Sequence, residues 1–443
     1  MIAPDRSLQE RVRFGQNLRK KLKRSNQSDW SESKRKHDPI EIILEANRQR
    51  IPELVPIKMA RMAVCPFSFF RGSVPVMAAD LATLPATGIP VQICGDAHVR
   101  NLGAYAGPDG RLIFDINDFD ETIRGPWEWD LKRLAASLVL AAREAENPEH
   151  QCRDAVMTCA RIYRTKMAEF SRMTCLEVHK YRIHRQFSGR TGVSVLQRAE
   201  RATPEHTLAK LTVRRGTKRV FREIKPVLTH PSKSRTKQVL QSIKPYCKTL
   251  PGCSQAALDF YRPVGVAFKI VGTGSVATND YVVLHLAGSG AKDPLFLQIK
   301  EALQSAYAPY VKSPETKMHQ GQRVVHGQRM LQVQSDIMLG WTSIGGADYL
   351  VRQLSDHKAS ISDEDLKGAG LIEYAITCGE VLAKGHARSG DPAVLAGYLG
   401  GNDRWDKALA KFAFAYADQT TRDHEKFVAA IRSGKIKAGR PCL

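Results

Sequence analysis

The chain has 443 residues, enough for two or three domains, and its 43% hydrophobic content supplies real cores and excludes a disordered or low-complexity chain. A formal net charge of +22 and an isoelectric point near 9.7 point to anionic partners: nucleic acid, anionic lipid or a polyphosphate ligand. No stretch reaches the roughly 20 apolar residues of a membrane span, the start lacks the apolar segment of a secretory signal, and the nine cysteines show no zinc or disulfide spacing, so a reduced, cytoplasmic protein is expected.

Residues 1–38 are polar and basic and read as a solvated, partly helical tail, with a nucleic-acid or membrane arm as the alternative. A helix from Pro39 leads to Phe67, Phe69 and Phe70, whose rings suit a core, while Arg71 just beyond them is able to reach a phosphate. The apolar run 91–94 reads as a buried strand that breaks at Gly95 into a loop carrying Asp96, His98 and Asn101. A second run, 112–114, follows the turn Gly107, Pro108, Asp109, Gly110 and empties into Asp115, Asp118, Asp120 and Glu121. Four acids in seven residues repel one another, which predicts a cation nearby, most simply Mg²⁺ with its preference for oxygen ligands. Asp96 and Asn101 stand five apart, the offset between a catalytic Asp and a metal-binding Asn in phosphoryl-transfer loops, with Asp118 following on the next strand.

Residues 129–144 form a strongly periodic helix whose first turn carries Asp130, and a further helix spans about 151–172. The basic stretch 185–258 reads as a connector or insertion; an RNA-contacting role there lacks the aromatic interleaving that single-strand binding prefers. Apolar runs at 266–271, 281–286 and 295–299 between glycine-rich turns predict three antiparallel strands. Gly272, Thr273, Gly274 and Ser275 occupy the first turn, where missing Cβ atoms let backbone close over phosphates, and Lys300 ends the third strand, placed to hold them. A long helix over 316–340, a strand at 349–354, a polar hinge at 355–360 and helices at 371–387, 406–415 and 421–431 complete the expected elements.

Gly95, Asp96 and Asn101, then Asn117, Asp118 and Phe119, then Gly125, Pro126, Asp130 and Leu131 together resemble the catalytic segment of aminoglycoside and choline kinase-like phosphotransferases, with Cys94 where that group usually has His. With the lead-in Pro66, Phe67, Ser68, Phe69, Phe70, Arg71, Gly72, the chain is more closely similar to the bacterial domain-of-unknown-function family 2252, almost to the C-terminus. In that family Ala277 and Asn279 replace a usual Gly and a basic residue. The resemblance implies an α+β, two-lobed, protein-kinase-like fold: a small antiparallel-sheet lobe plus a larger, mainly helical lobe. Because the catalytic-type loop precedes the nucleotide-type strands, the order is that of a circular permutation, with C-terminal helices packing beside residues 40–95. Segments 39–184 and 357–443 then build the larger lobe and 259–356 the small one.

The resemblance also implies ATP and Mg²⁺ as cofactors. Asp96 acts on an acceptor hydroxyl, His98 orients the loop, Asn101 and Asp118 hold metal with Asp115 and Asp120 in reserve, and Lys300 with the 272–275 turn holds phosphates. The positive charge favours an anionic acceptor over a cationic antibiotic. The competing readings are a nucleotide binder without turnover, a basic nucleic-acid-associated protein, and a metallophosphoesterase suggested by Gly95, Asp96, Ala97, His98, where Val99 replaces that signature's Gly. The segment His386 to Asp391 fails as an alternative catalytic loop, because Ala396 stands five residues past Asp391; a helix end near Gly390 accounts for it.

Overall fold

The computed structural model describes residues 6–107, 110–183, 195, 197–201, 203–216, 218–270, 272–288, 293–354 and 359–439, and shows a mixed α+β protein with antiparallel sheets. Pro108 and Asp109 of the expected turn, the start of the expected connector and residues 355–358 of the expected hinge lie outside that range.

Strand β1 (Pro90–Ile93) pairs with β4 (Ile123–Pro126); between them, β2 (Leu102–Ala106) and β3 (Leu112–Ile116) form a hairpin that β13 (Ala359–Ser360) extends. A basic hairpin joins β5 (Thr212–Arg215) to β6 (Lys218–Phe221). The main sheet has six strands in the order β11 (Gly340–Ile344), β12 (Ala347–Gln353), β10 (Pro294–Glu301), β9 (Asp280–Ala287), β8 (Tyr261–Lys269) and β7 (Leu228–Thr229), every neighbouring pair antiparallel.

The helix Trp127–Glu144 is the centre of the helical body. Glu128 and Asp130 favour its N-terminus and Arg143 its C-terminus through the backbone dipole, and nearly every residue along it is buried. It packs against Glu149–Phe170 and Arg404–Arg432, while Ala369–Ser389 lies along Glu149–Phe170. Arg404–Arg432 is one continuous helix rather than the two expected. The polar run 418–421 that suggests a break holds neither Gly nor Pro; Gln419, Thr420 and Thr421 bond within the helix, Thr420 Oγ1 donating to the Tyr416 carbonyl at 2.8 Å. The expected 316–340 helix ends at Leu331, and β11 takes up residues 340–344.

Residues 7–28 are not a solvated tail. A capping box between Ser7 and Glu10 starts the helix Leu8–Lys21, which lies against Pro392–Leu399. The packing is close enough that a Cβ at Gly15 or Gly397 would overlap backbone of the facing helix. Three carbonyls at the end of Pro392–Leu399 are taken up by guanidinium groups: Arg19 donates to Gly397 and to Tyr398 (2.9 Å), Arg24 to Leu399 (2.6 Å). Two of the basic residues that look like a charged tail in the sequence, Arg19 and Arg24, are helix caps. At the other end, Phe427 and Ile436 share a cluster with Ile40, Ile43, Met59, Met62 and Phe69, so the C-terminal helix packs on the segment that leads to β1.

The basic segment 204–258 is likewise part of the sheet layer. Its helices bury Val239, Tyr246, Leu250 and Leu258 against Val283, Leu297, Ile299 and Val351 of the six strands. Of the eight described cysteines, all are free thiols and four are buried. Among the described residues no helix is long and apolar enough to cross a membrane.

Replacing Gly397 by Val would push a side chain into the Val12 carbonyl. Such overpacking costs about 1–3 kcal/mol, and backbone yields less than side chains do. The expected outcome for Gly397→Val is a melting temperature lowered by several degrees; an unchanged melting curve would show that the two chain ends are not held in this close contact.

Candidate functional site

The loop after β1 is supported from below by one face of the Trp127–Glu144 helix. Asp130, Arg133 and Ser137 recur at helical spacing and meet the loop in order. Asp130 accepts the Cys94 and Gly95 N–H groups at 2.8 and 2.9 Å, Arg133 Nε donates to Asp96 Oδ1 at 2.6 Å, and Ser137 Oγ accepts the Val99 N–H at 3.2 Å. His386, in the last turn of Ala369–Ser389, reaches Asp130 through Nε2 at 3.2 Å. Gly95 has φ +80°, and a Cβ there would strike the Glu121 carbonyl, so the turn admits only glycine.

Arg133 is fully buried, donates a further bond to the Phe70 carbonyl (3.1 Å) and stacks on the Phe70 ring at 4.2 Å. Burial raises the Asp96 carboxyl above its ordinary range and Arg133 opposes the shift. His98 Nδ1 accepts the Arg100 N–H (3.2 Å), which leaves the ring proton on Nε2, 3.7 Å from Asp96 Oδ2. Burial, together with the Arg71, Arg133 and Arg100 charges, pushes the His98 imidazole well below its ordinary value. His98 is therefore a neutral ring beside Asp96, whose carboxylate is held by Arg133.

Asn101 closes the loop by donating Nδ2 to the Asp96 carbonyl (3.0 Å), and its own carbonyl accepts the Asn117 N–H (2.8 Å), tying this loop to the one after β3. In that second loop Asp118 Oδ1 accepts the Asp120 N–H at 3.2 Å. Arg323, buried on the Gln320–Leu331 helix, donates to the Thr122, Asp120 (2.8 Å) and Leu303 (2.9 Å) carbonyls and so clamps the acidic loop to the segment leaving β10.

From the sheet come Lys300 and the turn between β8 and β9. Lys300 makes an ion pair with Asp120, the acidic partner that sequence spacing does not identify. Directly across the ladder from Lys300 stands Asp280, whose Oδ2 accepts from Gln298 Nε2 at 2.6 Å and whose buried Oδ1 has no hydrogen-bond partner. Burial, opposed by Lys300 and Lys269, pushes the Asp280 carboxyl up to about 7. Glu301 accepts the Asn279 N–H and side-chain amide, both at 2.8 Å. The turn rests on the N-terminal segment: Arg61 donates to the Gly272 carbonyl, Arg50 to that of Val276 (2.7 Å), and the Ile51 N–H to that of Ala277 (2.8 Å). Gly272 has φ +64°.

These pieces face one cleft, open to solvent. Asp96, His98, Asn101, Asp118 and Asp120 line it from the helical side; Gly272, Thr273, Gly274, Ser275 and Lys300 line it from the sheet side. Asp115 is not among them. It is buried on β3 in an ion pair with Lys384 of the Ala369–Ser389 helix, and its register position points it away from the loop acids. Removing one member of such a buried pair costs roughly 3–5 kcal/mol, a structural role that withdraws Asp115 from the expected metal set. Glu121 of the acidic run also lines the cleft, as do Arg50 and Lys58, with Arg133 behind Asp96; the three basic residues are not evident from local motif spacing. The one signal for Arg133 is its i, i+3 offset from Asp130.

Among the described residues, no three His, Cys, Asp or Glu side chains converge as a self-sufficient metal site. Asp118 and Asn101 give two oxygen donors on the cleft wall, a set that suits Mg²⁺ only where ligand phosphates complete its shell. The turn offers backbone and small hydroxyl groups to such phosphates, and Lys300 a charge.

The chain belongs to a family described as an uncharacterized protein conserved in bacteria (DUF2252), which it matches over residues 50–430. No curated protein and no solved structure is found to be similar to it.

The raised Asp280 carboxyl carries a sign. Unfolded, the group ionises near pH 4; folded, it keeps its proton to about pH 7, so stability falls as pH rises through that window. Asp280→Asn escapes this loss. Its melting temperature relative to the native chain is expected to improve steadily from pH 4 to pH 8, and a difference independent of pH would refute the buried, proton-holding carboxyl.

Proposed function

We propose that the protein is an ATP- and Mg²⁺-dependent phosphotransferase of permuted kinase-like architecture acting on a hydroxyl acceptor. The observation that carries this reading is one cleft in which Asp96, Asn101 and Asp118 meet Lys300 and the 272–275 turn, although some 180 residues separate Asp120 from its ion-pair partner Lys300. The packing of Arg404–Arg432 against the helix Pro66–Gly72 and the cluster around Ile40 supports the permuted arrangement, in which both chain ends build the helical part.

Asp96, its carboxyl raised by burial and held by Arg133, accepts the proton of the acceptor hydroxyl as the acceptor oxygen bonds to the terminal phosphorus. The bond from that phosphorus to the bridging oxygen breaks, and ADP leaves with the electron pair. Lys300 and the turn backbone hold the remaining phosphates. Asn101 and Asp118 would hold Mg²⁺, which would offset the charge on the transferring group. A second reading, nucleotide binding without transfer, is favoured by the grip of Arg133 on Asp96 Oδ1, which lowers the basicity of that oxygen.

ATP with Mg²⁺ is expected to raise the melting temperature by several degrees, corresponding to about 2.7 kcal/mol at one hundred times the dissociation constant. Lys300→Ala should abolish most of that shift; an unchanged melting curve for the native chain at saturating Mg²⁺ and ATP refutes the proposal. Asp96→Asn should leave the shift in place while label transfer from ATP to a cell extract drops by roughly 10²–10⁴. Nucleotide binding with no transfer by the native chain selects the second reading.

A further inference from the structure

The cleft contains more positive charge than the reaction above uses. Arg50, Lys58 and Arg71 line it, all from the segment that precedes the Asp96 loop. Among the described residues no carboxylate forms an ion pair with any of the three. Arg50 donates to the Val276 carbonyl and Lys58 Nζ lies 3.3 Å from Asn47 Oδ1, both neutral acceptors. The Nε atoms of Arg50 and Arg71 are buried without a hydrogen-bond partner, and Arg71 otherwise lies 6.0 Å from the centre of the Phe67 ring. Burial lowers the pKa of all three groups, most of all that of Lys58.

Elsewhere in the cleft the charges are matched: Lys300 with Asp120, Arg133 with Asp96. Three desolvated basic groups with no ion-pair partner carry a standing cost that nearby Glu121, Asp96 and Asp118 offset only through longer-range attraction, and a bound anion in direct contact would relieve it. Two guanidinium forks and an ammonium suit the several oxygens and double charge of a phosphate better than a singly charged carboxylate. Arg71 lies beside the acids, with Asp96 and Asp118 among the charges that act on it. Arg50 also borders a groove that leaves the cleft past the helix Pro39–Ala46 and Tyr310, room for the rest of a larger molecule.

We propose that Arg50, Lys58 and Arg71 form a phosphate-monoester subsite for the acceptor, so that the hydroxyl substrate is one that already bears a phosphate group. This rests on the phosphotransferase reading for the word acceptor; the anion site itself does not.

The test uses the full chain, inorganic phosphate as probe, acetate as the carboxylate control, and β,γ-imido-ATP with Mg²⁺ to fill every nucleotide phosphate position. Phosphate should bind equally well with and without the imido nucleotide, acetate at least tenfold more weakly. Arg71→Gln should weaken phosphate at least tenfold while the dissociation constant of imido-ATP stays within twofold; Arg71→Lys, which keeps the charge and loses the fork, should fall between. Exclusion of phosphate by the imido nucleotide, weakened nucleotide binding in the variants, equal binding of acetate, or no phosphate binding would each overturn the proposal. Phosphate binding that depends on Arg71 in a chain that fails to bind imido-ATP would keep the anion site and discard the nucleotide reading.

Discussion

The structure depends on a buried polar stripe along one helix. Asp130, Arg133 and Ser137 sit on a helix otherwise packed in apolar surroundings, and each spends its polar group on the loop that follows β1. Buried polar groups are tolerated only when satisfied, so loop and helix determine each other's conformation. Asn101 then passes that order to the loop after β3 through its carbonyl, and Arg323 passes it to the end of β10 through three more carbonyls. The cleft is a rigid consequence of hydrogen bonds that start on a single helix face.

Across that cleft the Lys300–Asp120 pair joins the two sides. In the proposed reading, a polyphosphate alone would draw Lys300 away and strand Asp120, and a cation alone would do the reverse. A metal-loaded polyphosphate supplies a counter-charge to both, which makes joint loading the least costly route into the cleft. In the same reading, Arg50, Lys58 and Arg71 gain a direct counter-charge when a phosphate binds.

Local pattern revealed the parts of the site and not their bracing. Asp96, Asn101, Asp118, Lys300 and the 272–275 turn stand out because each sits at the end of an apolar run, where strand periodicity stops and loop chemistry begins. Asp115 stood in the same acidic run, yet strand alternation carried it to the other side, where Lys384 from a helix some 270 residues later meets it. Arg133 and Arg323 are one basic residue among many until the fold closes. The N-terminal basic run was misleading for the same reason: charge reads as solvation unless the carbonyls it caps, here on Pro392–Leu399, are known to be nearby. Helix and strand existence followed from periodicity, whereas β11 and the unbroken Arg404–Arg432 helix were settled by partners far away in the chain.

The docking of the first helix on Pro392–Leu399 bears on how the family's boundaries translate into a folding unit. The stretch shared with the family starts at residue 50, but Arg24, Gln27, Ile40 and Ile43 are all interior. A polypeptide trimmed to the shared stretch would leave the Gly397 face and the Phe427 cluster bare and three helix-end carbonyls without donors. Sequence relatedness and mechanical self-sufficiency therefore have different borders in this protein, and the segment 22–47 contributes buried side chains to its interior.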